Sequence, residues 1–102
     1  MKFNISKKKT VGKLLEEYEK GKLTEKNLLS KLFLQFNENE LEYVLSSLLT
    51  KHEIDTFAHR LLIIKMLKND IFQHEISKKL KVGVTTVTRG AEAIRNGKFD
   101  FI

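Results

Sequence analysis

Thr85, Thr86, Thr88 and Arg89 close the run QHEISKKLKVGVTTVTR, residues 73–89, and Arg95 follows six residues later. Threonine hydroxyls and methyls reach base edges and thymine methyls at short range, and guanidinium groups reach phosphate oxygens or the O6/N7 edge of guanine. The same residue types therefore offer both positioning and readout of a DNA groove. Ile76 and Leu80, four apart, share one helix face and leave Gln73, Ser77, Lys78 and Lys81 largely elsewhere. Lys81-Val82-Gly83 then reads as a turn, with Val82 filling the angle between two helices and Gly83 as the N-cap of the second. Val84, Val87, Ala91 and Ile94 recur at intervals of three and four, which turns Thr85, Thr86, Thr88, Arg89, Glu92 and Arg95 toward the remaining surface. Helix, tight turn and second helix make the pattern of a helix-turn-helix DNA reader. The plainer alternative is two amphipathic helices with a solvated charged face.

The elements that must carry this reader are helices. Proline is absent from the 102 residues and glycine occurs only at 12, 21, 83, 90 and 97, so breakers are few. A first helix is expected over about residues 10 to 20, stopping at Gly21, and a second follows Thr24 with Leu28, Leu29, Leu32, Phe33 and Phe36. Asn37 with Glu40, and Thr50 with Glu53, have the spacing of capping boxes for a third and a fourth helix. The fourth, Lys51 to Lys68, is expected to bury Ile54, Phe57, Ala58, Leu61, Leu62, Ile64 and Leu67, and to stop at Asn69-Asp70. The fold class is all-α and the chain reads as one domain: a basic N-terminus over 1–9, a helical dimerisation core over 10–68 and the helix-turn-helix over 71–95. Several apolar faces are broader than one small bundle covers, which predicts a homodimer with a shared core.

Nineteen basic against thirteen acidic side chains give a net charge of +6. Residues 71–98 carry six basic and two acidic groups and residues 1–13 carry five lysines, whereas residues 14–70 hold eight basic and ten acidic. Charge polarised in this way favours a polyanion through counterion release. The partner expected is double-stranded DNA. Cysteine is absent, so thiolate chemistry and disulfides are excluded. His52, His59 and His74 make neither a helical metal pair nor a nucleophile neighbourhood, no glycine-rich phosphate loop is present, and the chain does not read as an enzyme. No apolar run approaches membrane-spanning length and no signal-peptide pattern opens the chain, so a cytoplasmic protein without a membrane partner is expected. RNA binding lacks an aromatic platform between residues 73 and 98. The competing class is a protein-interaction module of the transcription machinery, whose helix-turn-helix reads no operator.

Leu49-Thr50, His59-Arg60-Leu61, Met66-Leu67-Lys68 and Thr86-Val87-Thr88-Arg89-Gly90 together resemble the bacterial Trp repressor family, over roughly residues 38 to 95. The resemblance implies a helical, intertwined homodimer whose two recognition helices enter successive major grooves about 34 Å apart. It places Gln73 and His74 at the mouth of the reader, Val84, Thr85, Thr86 and Thr88 toward the bases, and Lys78, Arg89 and Arg95 among the DNA-binding residues. His74 stands where an arginine is common, and neutral imidazole cannot make the forked contact to guanine. The resemblance further implies an L-tryptophan corepressor, with Thr50, Arg60, Arg89 and Gly90 at matching positions; no other cofactor and no metal is expected. Thr50 is equally explained as an N-cap, and the two arginines as phosphate contacts or exposed ion pairs. The Arg60–Arg89 spacing is one residue shorter than in tryptophan-responsive members, Ala93 replaces a common serine, and the stop at Ile102 leaves Phe99, Phe101 and Ile102 where a final helix would pack.

Overall fold

A computed structural model describes the backbone of residues 5–102 and the side chains of residues 11–102. All regular elements among the described residues are α-helices: α1 (Ile5–Glu19), α2 (Glu25–Phe33), α3 (Glu38–Leu48), α4 (Lys51–Lys68), α5 (Gln73–Leu80) and α6 (Val84–Arg95). The all-α class holds, and α2 to α6 begin where the capping and periodicity signals put them. Helix α1 starts at Ile5 rather than near residue 10, because Lys7, Lys8 and Lys9 are good helix formers with no breaker among them. Of the basic N-terminus 1–9, residues 1–4 lie outside the described residues.

Local hydrogen bonding sets the boundaries. Thr24 accepts the Asn27 N–H at 3.2 Å, Asn37 Oδ1 accepts the Glu40 N–H at 2.9 Å, and Thr50 Oγ1 accepts the Glu53 N–H at 3.2 Å. In each case the side chain three residues on accepts the cap's own N–H in return, which satisfies two orphan donors at once. Helices α1, α4 and α6 end in a Schellman motif. Gly21, Asp70 and Gly97 take left-handed backbone at φ 73, 60 and 83°. The N–H groups that follow bond back five residues, Lys22 to Glu17, Ile71 to Met66 and Lys98 to Ala93.

The described chain divides into two compact units, Met1–Val44 and Leu45–Ile102. In the first, Leu14 is buried beside a shallow apolar groove lined by Val11, Leu15, Tyr18, Leu28 and Leu32, and the Tyr18 hydroxyl donates to Glu25 at 2.9 Å. In the second, α6 packs on α4 and α5 around Ile63, Ile76 and Val87, with Met66, Leu67, Ile71, Leu80 and Val82 completing the core. This small core holds the two helices of the reader against α4.

Within the single chain, α4 covers only part of its expected apolar face. Ile63 and Ile64 are buried and Leu67 is half-buried, but Phe57, Ala58, Leu61 and Leu62 are exposed and Ile54 is only partly covered. The helix is apolar nearly all round, so periodicity could not say which side α5 and α6 occupy. They take the Ile63–Ile64–Leu67 side. No described helix is long and apolar enough to cross a membrane.

The crossing of α4 and α6 is set at Gly90. A Cβ there would stand 3.1 Å from Ile63 Cγ2 and 3.4 Å from both Ile64 Cδ1 and Leu67 Cδ1, whereas one at Gly12 in α1 meets nothing within 4 Å. Ile63 is 1% exposed and has little room to yield. Alanine gains about 1 kcal/mol of helix propensity at either site, against roughly 1–3 kcal/mol of overpacking at residue 90 alone. Urea unfolding should therefore show Gly12→Ala stabilised by up to about 1 kcal/mol and Gly90→Ala neutral to destabilised. A Gly90→Ala variant stabilised as much as Gly12→Ala would contradict the tight crossing.

Candidate nucleic-acid interface and effector cavity

The turn between α5 and α6 is built by three adjacent residues with different tasks. Lys81 takes the left-handed conformation, φ 55°, and its N–H bonds to the Ser77 carbonyl. Val82 packs into the core between the helices, while its carbonyl accepts the Ser77 hydroxyl at 2.7 Å and its N–H returns to the Ser77 carbonyl at 3.2 Å. Gly83 is the N-cap of α6, as expected, but at φ −65° and ψ 147° it has extended backbone open to any residue. The unusual geometry falls on Lys81 instead.

Helix α6 presents two stripes on either side of buried Val87. Val84, 59% exposed, Thr85 and Arg95 face solvent, and His74 and Lys78 are exposed on α5. Half-buried Gln73 and Thr88 join the two helices: the Thr88 hydroxyl lies 3.2 Å from Gln73 Oε1 and 3.0 Å from the Val84 carbonyl, with one proton for two acceptors. The Lys79 ammonium pairs with Glu75 at 3.1 Å, but among the described residues Lys78, Arg89 and Arg95 have no ion-pair partner. Their charges are uncommitted.

Phe72 and Gly83, the N-caps of α5 and α6, make no side-chain cap hydrogen bond. Helices α2, α3 and α4 all have capping boxes. Uncapped N–H groups at a helix start suit phosphate oxygens, and the macrodipole adds to the attraction.

The second stripe of α6, Thr86, Arg89, Gly90 and Ala93, follows the spacing i, i+3, i+4, i+7 and faces α4. Together with Arg60, Leu61, Ile63 and Ile64 of α4, and with Phe99 beyond α6, it lines a cavity of about 280 Å³. Two guanidinium groups and one hydroxyl stand over an apolar floor, and no acidic side chain is in the lining. Such a cavity suits a small organic anion with an apolar body. Arg60, Arg89 and Gly90, named from the sequence for an effector, thus come together. Thr50 does not line the cavity. It caps α4 ten residues before Arg60, about 15 Å along the axis. Thr86, named only for DNA, also lines the cavity; the i, i+3, i+4, i+7 stripe was the signal that would have found it. No group of three or more metal-ligating side chains occurs among the described residues.

A small all-helical protein with a helix-turn-helix and a basic, unpaired solvent face is the class these elements define. Residues 24–101 match the family described as Trp repressor protein. The chain is similar to the Trp operon repressor homologs of Haemophilus influenzae strains PittEE, PittGG and Rd, each 33% identical over 75 residues that cover 72% of this chain and 74% of the relative. No solved structure matches it. The chain belongs to the Trp repressor family and is a DNA-binding transcriptional regulator.

Two measurements check the local geometry. Non-glycine residues pay roughly 1–2 kcal/mol for left-handed backbone, so Lys81→Gly should raise thermal stability by up to about 1 kcal/mol after its own entropic cost; a fall would place the strain elsewhere. The Thr50 backbone N–H, and then its hydroxyl, hold the Glu53 carboxyl below the usual carboxylate range. A depressed carboxyl stabilises the fold above its unfolded pKa and loses that effect as pH falls through the lower folded value. The stability difference between wild type and Glu53→Gln should accordingly be present at neutral pH and vanish on acidification below about pH 4. A difference that persists into strong acid would exclude the ionised box.

Proposed function

We propose that the protein is a cytoplasmic, homodimeric repressor that reads an operator through α5 and α6 and is controlled by a small carboxylate-bearing effector, with L-tryptophan the first candidate. What carries the reading is the cavity behind the recognition helix, because Thr86, Arg89 and Gly90 belong to that helix and Arg60 to α4. A ligand held by both arginines would bridge the two helices and bias the angle at which α6 stands out from the core. Its effect on the operator equals its differential affinity for the DNA-competent and incompetent arrangements, and no more.

In this reading Val84, Thr85 and Thr88 meet base edges, with Gln73 and His74 at the mouth of the groove. Lys78, Arg95 and the uncapped starts of α5 and α6 meet phosphates. Thr86 and Arg89 serve both the cavity and the groove side. Thr50 lies too far along α4 to serve its own chain's cavity, so a role for it in effector binding requires a second copy. Exposed Phe57, Leu61 and Leu62 on α4, with Leu48 on α3, supply apolar surface for that copy.

Fluorescence anisotropy of a labelled Trp-operator-like duplex against a scrambled one, with and without L-tryptophan at fixed salt, tests the whole reading. Tryptophan-dependent preference for the operator is expected, and Arg89→Ala should lose both affinity and the tryptophan response. Thr85→Ala should cost about tenfold on the operator and little on the scrambled duplex. Lys78→Ala should weaken both alike and flatten the salt dependence by about one unit of slope per site. Binding indifferent to sequence and salt would sink the operator reading, and operator binding indifferent to tryptophan would remove only the named effector.

A further inference from the structure

The cavity has one wall that neither α4 nor α6 provides. At the end of α6 the Gly97 N–H bonds to the Ile94 carbonyl at 3.0 Å and the Lys98 N–H to the Ala93 carbonyl at 3.0 Å, and Gly97 turns the chain back with φ 83°. Phe99 follows in left-handed backbone, φ 62°, and the Ile102 N–H closes the next turn on its carbonyl at 3.2 Å. That conformation is unusual for a bulky side chain and persists only where surroundings over-determine it. After this reversal Phe99 lines the cavity together with Ala93 of α6 and Ile63 and Ile64 of α4. Phe101, two residues on, is left 87% exposed.

We infer that Phe99 is a ligand-contacting, specificity-determining residue of the Arg60–Arg89 cavity, selecting carboxylates that carry a flat ring over those that carry an aliphatic chain. The inference rests on the effector reading above. Phe99 is the one aromatic ring in the lining, and the arginines supply the cationic planes. The carboxylate of a small ligand pairs with a guanidinium in forked geometry. The rest of the ligand then lies among Phe99, the guanidinium faces and the methyl groups of Ile63 and Ile64. A ring there gains offset stacking on Phe99 and a cation–π contact with arginine, which a branched aliphatic chain of similar bulk does not. Ala93 is part of the device, because its single methyl group leaves the space that Phe99 and a ligand share.

The test is calorimetric titration of the full chain with L-tryptophan, L-phenylalanine and L-leucine, repeated on Phe99→Leu, Phe99→Tyr and Arg89→Ala. Wild type should bind the two aromatic acids about tenfold more tightly than leucine, Phe99→Leu should cut that ratio about fivefold at nearly unchanged leucine affinity, and Phe99→Tyr should retain it. Arg89→Ala should weaken all three together. Far-UV circular dichroism of each variant checks that the helices are kept, and a ratio of affinities is insensitive to a small loss of folded protein. An aromatic-to-aliphatic ratio unchanged in Phe99→Leu overturns the assignment of Phe99 while leaving the effector cavity standing. Absence of binding of all three acids to wild type overturns both.

Discussion

The distance between α4 and α6 at Gly90 is the constraint on which the rest of the reader depends. With no Cβ at residue 90, the Ile63, Ile64 and Leu67 side chains of α4 come up to the backbone of α6, and Val87 one turn earlier drops into the core beside Ile63 and Ile76. The crossing also decides where the flanking residues go. Arg89, next to Gly90, and Arg60, one turn before Ile64, end at the mouth of the same gap, and the gap widens into the cavity instead of closing. A larger residue at 90 would push the helices apart and change the cavity and the aim of the recognition helix together. That is a structural reason for a glycine inside a helix, where it costs about 1 kcal/mol relative to alanine.

Capping divides the helices by task. Thr24, Asn37 and Thr50 fill the starts of α2, α3 and α4 with their own side chains, so those ends are finished within the chain. The reader's helices start at Phe72, 79% exposed, and at Gly83, neither of which offers a capping oxygen. Substituting a poor cap for Ser, Thr, Asp or Asn costs about 1 kcal/mol per helix. Here that cost falls on α5, which Phe72 opens, and hardly on α6, because glycine is among the preferred N-caps. Lys78 and Arg95, in the last turns of the same two helices, are exposed and without ion-pair partners among the described residues.

Signals confined to three or four residues were legible in the sequence. The Asn37/Glu40 and Thr50/Glu53 boxes, the stops at Gly21 and Asn69-Asp70 and the turn at 81–83 all depend on nearby backbone, and all are present. Inside that turn the special backbone fell to Lys81 rather than Gly83, because composition cannot say which of three consecutive residues reverses the chain. Helix α4 was illegible for the opposite reason: with apolar residues on every side, the buried face is chosen by α5 and α6, which are not local. The grouping of Arg60 with Arg89 and Gly90 came from family likeness, and the three line one cavity. Thr86 and Phe99 were missed as cavity residues, the first because a DNA role already explained it, the second because only the reversal at Gly97 brings residue 99 back onto residue 93.

In the proposed reading, coupling between effector and operator would need no long pathway. Thr86 and Arg89 are single-helix neighbours of Thr85 and Thr88, so a ligand touching the cavity side of α6 acts on the same rigid element that carries the groove side. Over one turn a helix has little freedom to absorb a displacement, and a shift at one stripe is a shift at the other. The size of the response is then limited by how far the cavity can change with the ligand bound. Its fixed parts are the floor of Ile63 and Ile64 and the backbone at Gly90, which are buried or tightly packed. Its adjustable parts are the two exposed guanidinium groups. A ligand that only filled the floor would bind without altering the angle of α6, whereas one that tied Arg60 to Arg89 would have differential affinity for the arrangement in which the two helices close on it.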